Sequence, residues 1–140
     1  MNINELINLL INKQINTRNN ATYCLNQMLL DMNMFFGKYI NDYIEENKRQ
    51  KDCKKLTISK ISEELTKQLG KGYSRQNLSK MLIFYTLYKK CSEVPSNLSW
   101  SQICELLYIK NINERKFYEI KCVKQRWSSA ELSCQLLDYN

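Results

Sequence analysis

Apolar residues recur along most of the chain at steps of three and four, the period of a helix with one face turned to a core. Ile3, Leu6, Ile7, Leu10 and Ile15 form the first such row, with Asn2 placed to cap it. The polar run Asn16-Thr17-Arg18-Asn19-Asn20 is either a turn or the wet side of a helix that continues. From Ala21 the row resumes through Leu25, Met28, Met32, Phe35, Tyr39 and Tyr43, flanked by Leu29, Phe36, Ile40 and Ile44. A face that wide exceeds what one surface helix buries. It predicts a central core helix, or one that buries a second face against another subunit. Gly37 inside it costs about 1 kcal/mol relative to alanine, so a close helix crossing is expected there.

A basic linker follows over residues 47–56, read as a solvated loop with a phosphate-contacting loop as the alternative. The next helix is expected over 58–69, with Thr57 as its cap and Ile58, Ile61, Leu65 and Leu69 inward. Gly70-Lys71-Gly72-Tyr73 then breaks the pattern, Ser74 caps, and a helix resumes over about 74–90 with Leu78, Met81, Leu82, Tyr85 and Tyr88 in register. Helix, glycine turn, serine cap, helix is the grammar of a helix-turn-helix. Residues 92–98 hold the one proline and read as a loop. Ser99 caps a short helix with Trp100, Ile103, Leu106 and Leu107. Asn113 is expected to cap a helix over 114–126 with Phe117, Ile120 and Val123 inward. Ser128, with Glu131 at capping-box distance, opens a last helix containing Leu132, Leu136 and Leu137. A second, looser helix-turn-helix unit is thus centred on Trp127.

Three glycines and one proline in 140 residues are too few for the turns of a sandwich or barrel. The expectation is an all-α fold of about six helices, a long N-terminal helix or helix pair plus helix-turn-helix units, in a single helical domain over 1–140. No signal sequence and no long apolar run is present, which predicts a soluble cytoplasmic protein without membrane contact.

The net charge is +7 and is unevenly placed. Residues 1–47 carry three basic and five acidic side chains, whereas 48–60 carry six basic and one acidic. Residues 71–90 hold Lys71, Arg75, Lys80, Lys89 and Lys90 with no acid. Residues 110–126 hold six basic and two acidic side chains. Such a surface suits a polyanion.

Catalytic chemistry finds little footing. Without histidine, Ser–His and Cys–His mechanisms are excluded. Glu119-Ile120-Lys121 and Asp52-Cys53-Lys54 spell half of a nuclease motif, but that motif works on a strand, and Glu119 lies in a helical segment whose i and i+2 positions diverge. The glycine turn lacks the full Walker pattern. The six cysteines, Cys24, Cys53, Cys91, Cys104, Cys122 and Cys134, include no CxxC pair and mostly fall at apolar helix positions, where buried reduced thiols are expected. The expected protein is a non-enzyme with no metal and no cofactor.

Arg75, Gln76, Asn77 and Lys80 open the expected recognition helix, where side chains reach base edges and the helix N-terminus favours phosphate. Lys71 in the turn suits phosphate. Asn77 has a competing structural role, bonding across the turn. Lys121, Lys124 and Arg126 extend a basic stripe. Trp100 and Trp127, each beside a serine cap, read as core or staples.

Several spaced strings occur together: Gly37-Lys38-Tyr39-Ile40, Gly70-Lys71-Gly72-Tyr73-Ser74, Asn77-Leu78, Phe84-Tyr85, Leu98-Ser99-Trp100-Ser101, Glu105-Leu106-Leu107, Phe117-Tyr118, Trp127-Ser128 and Glu131-Leu132. In this order the chain resembles the helical N-terminal domain of YhcG-like proteins, a bacterial group of predicted nucleases, over roughly residues 28–137. The resemblance implies a helical part that binds or positions double-stranded DNA for a separate PD-(D/E)XK nuclease domain, which would begin where this chain stops. The nuclease domain is therefore expected to be absent here and to act as a partner. Gln102, Ala130 and Cys134 depart from the family's His and two Arg. The alternative expectation is a protein-interaction or inhibitor module, a homodimer through the N-terminal helix or an occupant of a partner's nucleic-acid site.

Overall fold

Six helices follow one another: α1 (Ile3–Glu46), α2 (Cys53–Leu69), α3 (Arg75–Tyr88), α4 (Trp100–Leu106), α5 (Ile112–Lys124) and α6 (Ser129–Leu136). The computed structural model describes residues 1–90, 95 and 97–137. Among these there is no strand, so the fold is all-α. Most of the loop expected over 92–98 lies outside the described residues, as does Cys91. No helix among the described residues is long and apolar enough to cross a membrane.

The polar run at 16–20 proves to be the wet side of a continuing helix. It contains no glycine or proline, and the Thr17 hydroxyl donates to the Lys13 carbonyl at 2.8 Å, so its polarity is satisfied within the helix. Asn2 and Glu5 cap α1 reciprocally, at 2.9 and 3.0 Å. The helix is roughly 66 Å long at 1.5 Å per residue. Its inward side is Leu30, Asn33, Gly37 and Ile40, packed mainly on α3. The row Leu25, Met28, Phe35, Tyr39 and Tyr43 is exposed. Of the two apolar rows, the flanking one thus faces the core from Phe36 to Ile44, though Leu29 is exposed, because that side carries the glycine that admits α3. A Cβ on Gly37 would overlap the Met81 carbonyl oxygen and stand 2.8 Å from Tyr85 Cβ.

α2 starts at Cys53, four residues before the expected Thr57 cap, which shortens the basic loop. Asp52 takes a left-handed conformation, φ 55°, and the Thr57 hydroxyl lies 3.8 Å from Cys53 Sγ instead of capping. Ile58 is buried, Ile61 and Leu65 half-buried, and Leu69 exposed. Gly70 and Gly72 hold φ of 91° and 108°, where an L side chain is strained. Ser74 then caps α3 by accepting from the Asn77 amide at 3.1 Å.

Capping boxes at Ser99/Gln102 and Ser128/Glu131 open α4 and α6. For α5 the cap is Asn111, not Asn113: its Oδ1 accepts from the Asn113 and Glu114 amides at 2.9 and 3.1 Å. The inward face of α5 is also corrected. Phe117, Ile120 and Val123 are exposed, whereas Arg115 and Cys122 are buried. Arg115, 2% exposed, turns the helix inward because the interior offers it carbonyls. Its Nη1 donates to the Ile109 and Lys110 carbonyls at 3.0 and 3.4 Å, and its Nη2 to the Leu87 carbonyl at 3.4 Å. Its guanidinium lies 4.7 Å from the Tyr88 ring centroid, and Nε stands 3.9 Å from Glu119 Oε1. The α5 C-terminus closes with Arg126 at φ 54°, Trp127 N–H reaching the Cys122 carbonyl at 3.0 Å, a Schellman turn without glycine.

Two buried clusters result. One gathers Leu30, Phe84, Tyr88, Leu98, Ile103, Leu106 and Leu132 with their neighbours; the other gathers Ile40, Ile58, Leu78, Met81 and Leu82. Trp100 packs against both. Of the described cysteines, Cys53 and Cys122 are buried and Cys104 half-buried, but Cys24 and Cys134 are exposed.

Candidate nucleic-acid interface

The glycine turn sets the first turn of α3 beside the loop that joins α1 to α2 and the start of α2 itself. Between them runs an open groove of about 1110 Å³. Lys48, Lys54 and Lys55 line one side; Arg75, Gln76, Ser79 and Lys80 line the other. Ile44, Ile58 and Ile83 contribute apolar surface, with Tyr108 nearby. Five cations thus face one acid, Asp52. Lys48 pairs with Glu45 at 3.5 Å, while Lys54, Lys55, Arg75 and Lys80 make no ion pair among the described residues. The positive end of the α3 dipole adds to this field. Unpaired cations clustered around a helix N-terminus can hold phosphate oxygens.

The half-buried Cys104 thiol is pushed up to about 11 by burial, against the pull of Lys80, with Glu105 adding to the rise. It is a neutral thiol at physiological pH.

Of the sequence-predicted contacts, Arg75, Gln76 and Lys80 line the groove together. Asn77 does not, and both ends of its amide are bonded within the fold. Nδ2 donates to the Gly72 carbonyl at 2.6 Å, and Oδ1 accepts from the Trp100 indole at 2.9 Å. Asn77 thus fills the structural role that competes with base contact: it closes the turn and ties it to α4. Lys71 is exposed on the turn outside the groove lining. Lys121 and Lys124 line a separate cleft of about 270 Å³ with Phe117, Ile120 and Gln125, and Arg126 is exposed beyond it.

Lys48, Lys54 and Lys55 fall in the basic stretch for which the sequence favours a solvated loop and offers phosphate contact only as the alternative. Their signal was the charge run itself, which gains meaning only once the chain folds it against α3. Glu119 is half-buried beside the first cluster, where Tyr88 Oη donates to its Oε1 at 2.5 Å. Among the described residues no group of three or more His, Cys, Asp or Glu is placed to hold a metal.

A family model described as the DUF1016 N-terminal domain matches residues 10–138. The chain belongs to the DUF1016 N-terminal domain family. No curated protein and no solved structure matches it. In this DUF1016 N-terminal domain, the match spans α1 from Leu10 onward, the groove and all later helices. Ala130 and Cys134, where the resemblance expects arginines, are both exposed. Arginines there would be surface cations outside the groove lining of this DUF1016 domain.

Proposed function

We propose that the chain is a DNA-binding module, itself non-catalytic, that grips double-stranded DNA through the groove between α3 and the α1–α2 loop with the first turn of α2, and serves a PD-(D/E)XK nuclease of the YhcG-like kind. The observation that carries this reading is the convergence of Lys54 and Lys55 with Arg75 and Lys80 on one open surface. Most of the affinity comes from phosphate neutralisation, which is insensitive to sequence. Gln76 is the one groove amide at a base-reading position of α3. An inhibitor seated in a partner's nucleic-acid site would meet that site's cations with its own net charge of +7, which disfavours that alternative.

The test is fluorescence anisotropy of a labelled duplex over about 50–200 mM salt. Arg75→Ala with Lys80→Ala is expected to lower affinity at least tenfold. The slope of log K against log salt should shrink by about 2, near 0.9 for each phosphate that the variant no longer neutralises. Unchanged affinity and slope would sink the reading.

A further inference from the structure

α1 projects well beyond the body it belongs to. Residues 3–25 are all exposed, and the first buried side chain of the helix is Leu30. Yet Ile3, Ile7 and Leu10 lie there, 66%, 45% and 60% exposed. Most helical stability in proteins comes from packing of an apolar face, which this stretch lacks within its own chain. Farther along, Leu25, Met28 and Phe35 are 56%, 69% and 60% exposed on the side opposite Gly37 and Ile40. At helical spacing one line runs from Ile3 and Ile7 to Phe35 and Tyr39, with Ala21 near its middle and no charge along it.

We propose that α1 pairs with α1 of a second copy of this chain as an antiparallel two-helix coiled coil centred on Ala21. In that register Thr17 meets Leu25, Gln14 meets Met28, Leu10 meets Met32 and Ile7 meets Phe35. Each position of the line lands on a position of the same line in the other copy, as an isologous interface requires. Ala21, the smallest side chain of the line, sits on the two-fold axis.

Charge fixes the orientation. Lys13 and Asp31 flank the line on the same side at helical spacing. The antiparallel register sets Lys13 against Asp31 of the second copy, twice. A parallel pair would set Lys13 beside Arg18 of the second copy, like charges, twice. Area is sufficient: about ten such side chains, each roughly half exposed, offer on the order of 800 Å² per chain, the share of one partner in a standard interface. A lipid surface fits poorly, because α1 carries three basic and five acidic side chains where a membrane-bound helix needs a basic polar face. The pairing is independent of the DNA reading and uses none of the groove residues.

Sedimentation equilibrium of the full chain at about 10–200 µM is the test. The chain is expected to be a dimer. Leu25→Glu with Met28→Glu should give a folded monomer whose Trp emission matches the parent, since both positions face solvent. Lys13→Asp and Asp31→Lys should each raise the dimer dissociation constant roughly tenfold, and the two together should restore it. A parallel pair would instead tighten on Lys13→Asp by relieving its repulsion from Arg18. A monomeric chain at the highest concentration overturns the proposal, as does tightening by Lys13→Asp or a dimer that survives Leu25→Glu with Met28→Glu.

Discussion

Asn77 carries one of the heaviest hydrogen-bond loads of any side chain near the turn. Asn77→Ala leaves the Trp100 indole and the Gly72 carbonyl without their partner, which should cost about 1–3 kcal/mol in urea unfolding. DNA affinity per folded molecule should hardly change, because Asn77 lies outside the groove lining. Glu119 gives a pH signature. Burial holds its carboxyl above the ordinary 4.5, against the opposing pull of the Tyr88 hydroxyl, Arg115 and Lys116. The native state therefore binds this proton more tightly than the unfolded chain. Its contribution to stability is full below 4.5 and is lost as pH rises through the higher native value. Between about pH 4 and pH 7, the unfolding free energy of the parent minus that of Glu119→Gln should fall as pH rises. Denaturant titration across that range checks it. Burial and Glu119 also push the Tyr88 hydroxyl far up, so it stays a donor throughout.

At the scale of elements, the α1–α3 crossing depends on the absence of one methyl group. Gly37→Ala drives a Cβ into the Met81 carbonyl, a backbone atom with no rotamer to yield, and should destabilise the fold by about 1–3 kcal/mol, measured by chemical denaturation. That crossing was legible in the sequence, since a glycine deep in an apolar helix needs a reason. The caps Ser74, Ser99 and Ser128 were legible too, because a cap involves only its own first turn. The orientation of α5 was not. Phe117, Ile120 and Val123 form a row as regular as Arg115, Tyr118 and Cys122, and the choice between them is made by partners distant in sequence. The carbonyls of Leu87 and Ile109 and the ring of Tyr88 make an arginine the better inward residue. The start of α2 was missed for a related reason: Asp52 adopts a left-handed backbone that no local pattern announces.

For the molecule as a whole, the basic charge was visible in composition but its geography was not. The sequence pointed to three basic tracts; the fold joins the first to the second and leaves the third on another cleft. Lys121→Ala with Lys124→Ala removes as much charge as the double substitution at Arg75 and Lys80. Screening over about 8 Å at physiological salt should nonetheless confine its effect on duplex affinity to roughly twofold. Anisotropy titrations of the two double variants side by side check whether placement or total charge sets binding.

Trp100 lies against both buried clusters while its indole holds the amide that closes the glycine turn. The two halves of the fold are thereby made cooperative: neither core can loosen without drawing the indole from Asn77, and the turn cannot open without disturbing the ring. The chain carries its own optical gauge, a fluorophore whose emission registers the state of the turn that presents Arg75.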